Sequence, residues 1–400
     1  MTPAVRVALL AAGASLWLAA AWALLPTAVP DDLRLPAVDV DGVFGAGAVS
    51  RAERYERVPL LLWPLAQAAT LAALALYARF GAAYARESAG GPIATGMLLG
   101  MLGLGFAWLA RLPFSLTSFW WDREHDLVET GWASYLVEDY VALGGSFLAA
   151  CVALLVAMWL AARLGERWWL PGALVLAGLV AAVGLVAPYL ATELRPLEPP
   201  LRQAAAAFER DQGVEGSAYG VEEVSDATSL ANAYAVGFGP TKRVVLWDTL
   251  LDGRFGEGAV RVVLAHEIAH HSSDHLREGI AWFVLFAVPG AWLIARATRR
   301  RGGLARPEAV PLALLVVAVF QLATAPATSW LSRRAEAEAD WKALSSTAGA
   351  ASARALFVGL ADEGLGDPDP PAWSQVLLGS HPSLADRVAM ADAWERRERR

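Results

Sequence analysis

The sequence predicts a predominantly α-helical, multi-span membrane protein carrying a polar domain with a little β-structure. Three observations predict it. Of 400 residues, 56% are hydrophobic and only 18% charged, whereas a soluble domain is nearer about a quarter charged. The apolar residues are gathered into runs long enough, or nearly so, to cross a bilayer. Between and after these runs lie two polar stretches that hold most of the acidic residues and five of the six histidines.

Seven runs read as spans, at 5–25, 59–77, 93–110, 141–162, 170–190, 280–297 and 310–331. Trp63, Tyr77, Trp159, Trp168, Trp169, Tyr189 and Trp330 stand at their edges, where aromatic residues favour the headgroup region. The first run has a longer apolar core than a signal peptide, and no small-x-small cleavage site follows it, so it reads as a retained span. The chain thus divides into 1–190 with five spans, a polar loop 191–279, two further spans within 280–331, and a polar tail 332–400. Within the loop, Pro199 and Pro200 open a helix over 201–210. Residues 244–247 are β-branched and aromatic and read as a strand. Residues 256–275 read as a helix running nearly into the sixth span.

The balance of the composition excludes some classes. A net charge of −7 gives no nucleic-acid footprint. The lone cysteine, Cys151, can form neither an intramolecular disulfide nor a thiolate cluster and reads as a small buried hydrophobe. Among 33 basic residues only Lys242 and Lys342 are lysine, a bias that points to a GC-rich bacterial genome and hence a bacterial cell membrane. Arg6, Arg79, Arg86, Arg163, Arg167, Arg296, Arg299, Arg300, Arg301 and Arg306 fall in short loops on the face opposite the polar pieces. The positive-inside rule then places the polar pieces outside the cytoplasm.

The loop contains His266-Glu267-Ile268-Ala269-His270, an HExxH pentad. Residues four apart share a helical face, so His266 and His270 can present two imidazoles to one zinc ion, with Glu267 as general base. A hydrolytic zinc needs a third protein ligand. The tail offers Glu336, Glu338 and Asp340, and two spans separate tail from loop, which puts both on one side of the membrane. Glu336 and Asp340 share a face, whereas Glu338 lies about 200° from Glu336. That phase assigns Glu336 as third ligand and places Asp340 where it can accept the second N–H of a zinc-bound histidine. Glu338 reads as solvated, and His271 and His275, rotated off the zinc face, as surface residues. His381 and Arg387, also in the tail, are candidates to donate to an oxyanion. His125 has no evident partner.

These residues resemble the integral-membrane CAAX prenyl protease 1 family, zinc peptidases of the gluzincin type related to the HtpX heat-shock proteases. The resemblance covers most of the chain. It rests on Leu112-Pro113-Phe114-Ser115, Asn232-Ala233-Tyr234 with Gly237, residues 243–251, the pentad, Ser332-Arg333 with Glu336 and Ala339-Asp340, and His381-Pro382-Ser383 with Arg387. It implies a seven-helix bundle enclosing a chamber, with the metallopeptidase domain built from helices and a small sheet. It implies one zinc per chain on His266, His270 and Glu336. It implies that Asn232 lies by an edge strand that holds substrate by strand addition, and that His381 and Arg387 contact substrate or the oxyanion. A chamber would account for Glu138 and Asp139 beside the fourth span. The family's eukaryotic members set the catalytic side in the cytosol, against the arginine count, which leaves the side open. Their prenylated substrates do not carry over to a bacterial chain. The expected function is a membrane endopeptidase acting on membrane-associated polypeptides. The alternatives are an HtpX-like quality-control protease and a non-catalytic zinc-binding scaffold. The expected partners are a polypeptide and the bilayer, with no nucleic acid; the sequence is silent on oligomeric state.

Overall fold

A computed structural model describes residues 3–86, 88–190, 194–347 and 349–399. In chain order the helices are α1 (Pro3–Ala23), α2 (Val40–Phe44), α3 (Ala46–Phe80), α4 (Pro92–Glu124), α5 (Trp132–Leu164), α6 (Trp169–Leu190) and α7 (Pro199–Gln212). Three strands follow, β1 (Ala218–Glu222), β2 (Ala233–Val236) and β3 (Arg243–Trp247). Then come α8 (Glu257–Ser272), α9 (His275–Thr298), α10 (Val310–Thr347), α11 (Ala350–Gly364), α12 (Ala372–Leu377) and α13 (Leu384–Glu398).

Six of these helices, α3 to α6, α9 and α10, are long and apolar enough to cross a membrane. The expected first span falls on α1, whose described apolar stretch Ala11–Ala23 is shorter than the others. A full crossing needs about 20 apolar residues, so full-length spans among the described residues number six rather than seven. Two of the aromatic edges also differ from expectation. Tyr77 and Trp168 are buried, and the Tyr77 hydroxyl donates to the Leu99 carbonyl at 2.7 Å. Trp159, Tyr189 and Trp330 stay exposed.

Small residues let the long helices approach closely. A Cβ on Gly96 would meet Met158 Sδ at 2.2 Å, and one on Gly100 would meet Leu154 Cδ1 at 2.4 Å. Here α4 lies directly on α5.

The described residues form two cores. One joins Ala157, Met158, Trp168, Leu304 and Val310, with Ile93 packed against it. At that end Arg299 Nε lies 2.7 Å from Glu166 Oε1. The other core joins Val244, Leu246, Leu264, Ile268, Leu344, Phe357 and Val388, and takes in Leu33, Val38 and Val40 from the segment after α1. Asp32 there pairs with Arg397 at 3.1 Å. The turn after α4 joins the same end through the Val128–Thr228 bridge. The segment after α1, the turn after α4, the polar loop and the tail, which span counting assigns to one face, are therefore found together.

The sheet has the order β1-β3-β2. β1 runs parallel to β3 and β2 antiparallel to it, with Tyr234 opposite Val245. β2 is thus an edge strand, and it ends at Gly237 with φ +77°, where a Cβ would meet the Thr241 carbonyl oxygen at 2.2 Å. Only glycine fits that turn without displacing the edge.

The expected long helix over 256–275 is interrupted. α8 ends at Ser272, and Asp274 takes the left-handed conformation (φ 53°, ψ 29°) as N-cap of α9. The zinc-motif helix and the following span are separate rods joined by this sharp turn.

Candidate metal centre

The pentad occupies the second half of α8, the most buried helix of the polar domain, where His266, Glu267, Ile268 and Ala269 are all buried. α10 leaves the bilayer without a break, so Glu336 comes about one and a half turns past residue 331 and faces α8. His266 Nε2 lies 3.2 Å from Glu336 Oε2, His270 Nε2 lies 3.5 Å from Glu336 Oε1, and the two Nε2 atoms are 3.2 Å apart. One donor atom from each of His266, His270 and Glu336 lies within 4.8 Å of the other two. Two imidazoles and a carboxylate are a donor set that suits a borderline-soft divalent cation with one position left open.

The charges fit the same reading. Burial would lower the His266 imidazole, but Asp340 and Glu336 raise it to about 10. Burial, reinforced by the charge on His266, lowers His270 to about 3. The pair of histidines thus carries one positive charge, on His266, and a bound cation would take the place of that extra proton beside the carboxylates. Burial raises Glu267 to about 7, with the charges on His266 and Glu336 acting in opposite directions.

Asp340 lies one turn beyond Glu336. Its Oδ1 faces His266 Nδ1 at 2.9 Å. Arg387 donates to the same carboxylate twice, from Nε at 2.7 Å and from Nη2 at 2.6 Å. Arg387, expected at the substrate, is thus engaged bidentately by Asp340, with its guanidinium over the Phe357 ring. The local sequence explains this placement. Ser383 caps α13 by accepting from the Asp386 amide, which sets Arg387 one turn into the helix, pointing back at α10. His381, two residues before the cap, lies 3.2 Å from Glu336 Oε2 through Nε2, and its side chain is 55% exposed.

Asn232 sits just before edge strand β2, and its carbonyl accepts from the Trp247 amide at 3.0 Å. β2 lies against α8, and its Ala235 amide pulls Glu267 back toward the ionised form. The free edge of β2 therefore runs past the general-base candidate.

A cavity of about 1000 Å³ adjoins the candidate ligands, walled by α4, α5, α6, α9 and α10 and lined chiefly by apolar side chains such as Phe283, Phe286 and Phe320. It follows α10 from Ala313 to Glu336, with His270 and His275 in its wall, a length of about 35 Å. A second cavity, of about 520 Å³, holds Phe114, Ser115 and Glu138. Asp139 instead accepts from Trp108 Nε1 at 2.6 Å.

Several readings of the sequence are corrected here. His271 and His275 are buried rather than exposed. His271 Nε2 lies 3.2 Å from the Arg243 carbonyl, and His275 Nδ1 lies 2.9 Å from His270 Nδ1. Glu338 is not a solvated side chain; it accepts from Ser273 Oγ at 2.9 Å. His125 has partners, with Nδ1 2.8 Å from the Trp121 carbonyl and its ring against Tyr55 and Trp121. The helix break at Asp274 brings His275 against His270, and no glycine or proline marks it in the sequence.

Comparison with known proteins agrees with this geometry. Residues 201–395 match Peptidase family M48. Over 302 residues, 72% of this chain and 71% of the other, the sequence is 28% identical to the uncharacterized metalloprotease YhfN of Bacillus subtilis (strain 168). These matches support a place among the CAAX prenyl protease-like M48 peptidases. The chain is 29% identical over 189 residues to a CAAX prenyl protease 1 homolog of Oryza sativa subsp. japonica, a match spanning 44% of each chain. The crystal structure of S. mikatae Ste24p shares the fold, with a TM-score of 0.75 and 17% identity, over 94% of this chain and 96% of that one. The chain is thus a multi-pass membrane metallopeptidase whose substrates are polypeptides.

Proposed function

We propose that this chain is a zinc endopeptidase that cleaves membrane-associated polypeptides at the mouth of the intramembrane cavity. The observation that carries the reading is the meeting of His266, His270 and Glu336 beside buried Glu267, where α8 reaches the end of that cavity. In this reading the catalytic unit is assembled from 191–279 and 332–400, with 280–331 threading the bilayer between them.

His266, His270 and Glu336 would hold one zinc ion. When bound, zinc supplies Lewis acidity toward a water molecule and the scissile carbonyl. Glu267 takes the proton of the attacking water and delivers it to the leaving amine. Asp340 fixes the His266 tautomer through Nδ1, and Arg387 fixes Asp340. His381, exposed beside Glu336, donates to the developing oxyanion. Asn232 leads into β2, whose free edge pairs with the substrate backbone and holds it extended across the site. The apolar walls of the cavity suit a substrate whose cleavage site adjoins an apolar segment.

Glu267 must be ionised to accept a proton. A carboxyl raised to about 7 by burial loses its basic form as the pH falls, so kcat/KM should rise with pH and level off above about 7. The check is cleavage of a fluorogenic peptide by the purified protein across about pH 5 to 8, with and without a chelator. Chelator-sensitive cleavage with that acidic limb is expected. A profile flat across the range would remove Glu267 as the base, and cleavage insensitive to chelation would remove the metal.

A further inference from the structure

We infer that His275 and Glu338 form a second orienting arm of the metal site, acting on His270 as Asp340 and Arg387 act on His266. The inference rests on the zinc reading above, because it assigns an orienting partner to a proposed ligand.

The geometry leaves one nitrogen of His270 to be accounted for. Its Nε2 faces His266 Nε2 and the Glu336 carboxylate. Its Nδ1 faces His275 Nδ1 at 2.9 Å, with the rings near perpendicular at 70°. A neutral imidazole has one donor and one acceptor nitrogen. With the Nε2 lone pair directed at a cation, His270 Nδ1 carries the hydrogen, and His275 Nδ1 accepts it. The hydrogen of His275 is then on Nε2. That atom is buried and has no hydrogen-bond partner, and the nearest carboxylate oxygen, Glu338 Oε2, is 3.9 Å away. Glu338 is fixed in turn by Ser273 Oγ at 2.9 Å and flanked by Lys342 Nζ at 3.9 Å.

The backbone is bent to make this contact. On an unbroken helix a residue five positions after His270 would lie about 140° round the axis and could not reach its ring. Asp274, a non-glycine residue at φ 53°, turns the chain so that His275 starts α9 beneath His270. A left-handed non-glycine residue is unfavourable and persists where its surroundings enforce it. His275 is therefore a positioning residue: it sets the tautomer and ring angle of His270 and touches neither substrate nor metal.

The test is zinc affinity, measured by chelator competition on the full-length protein in detergent, with unfolding of the metal-free protein followed in parallel. His275→Leu fills the space without an acceptor and should bind zinc about 10- to 100-fold more weakly. His275→Asn restores an acceptor near the Nδ1 position and should recover affinity to within about threefold of wild type. Glu338→Ala, which leaves both rings in place, should weaken binding at least about threefold, and it supplies the answer if His275→Leu fails to fold. Affinities for His275→Leu or Glu338→Ala equal to wild type would overturn the relay, as would His275→Asn binding no better than His275→Leu. Wild-type protein that binds no zinc would instead refute the zinc reading itself.

Discussion

Glu267→Gln is expected to retain bound zinc and to slow peptide hydrolysis by about 100- to 10,000-fold, the usual worth of a positioned general base. Glutamine has nearly the volume of glutamate, so the packing of α8 against the core around Leu264 and Ile268 is kept. It cannot accept a proton from water. It also removes a buried carboxyl whose ionisation is opposed by burial, so the variant should be at least as stable as the wild type. The measurement is kcat/KM on a fluorogenic peptide together with zinc content. Turnover within about tenfold of wild type, with zinc retained, would mean that another group activates the water. The same variant, with binding intact and chemistry stopped, should hold polypeptide substrates long enough for identification by mass spectrometry.

Asp340→Ala should have the largest effect on the fold. Asp340 is 3% exposed and accepts from His266 and twice from Arg387. Removing it leaves the Arg387 guanidinium buried without its partner, a loss of about 3–5 kcal/mol, against a total stability of about 5–15 kcal/mol for a typical domain. It also frees the His266 ring, which should weaken zinc binding about 10- to 100-fold. Thermal unfolding and chelator competition on the same preparation measure both losses. Asp340→Asn keeps one acceptor and should fall between wild type and Asp340→Ala. An Asp340→Ala protein as stable as wild type would show that Arg387 finds another partner and that the carboxylate does not anchor α13 to α10.

Much of this site is written in local sequence because its parts sit on regular helices. The spacing of His266 and His270 and the shared face of Glu336 and Asp340 need only the helical period, and α8 and α10 follow it. Counting spans was enough to bring loop and tail together, since parity does not depend on where each helix ends or on whether α1 makes a full crossing. What could not be read depended on tertiary contacts. Arg387 looked like a substrate contact until α13 brought it onto Asp340. His275 looked exposed because a continuous helix would have turned it away, and Asp274 carries no glycine or proline to mark the break. Tyr77 and Trp168 looked like interface aromatics, but hydropathy does not distinguish a residue facing headgroups from one facing a neighbouring helix. The cavity is a property of how α4, α5, α6, α9 and α10 splay, and no single segment encodes it.

The proposed zinc site is completed across the bilayer-spanning pair α9 and α10, with Glu336 from the tail joining the two histidines of the loop. The most direct test is zinc per chain, by mass spectrometry of purified wild type and Glu336→Ala, with peptide cleavage assayed before chelation, after it, and after zinc is restored. The expected result is one zinc per wild-type chain, cleavage lost on chelation and regained with zinc, and neither stable zinc nor cleavage in Glu336→Ala. Full zinc occupancy and wild-type turnover in Glu336→Ala would contradict it.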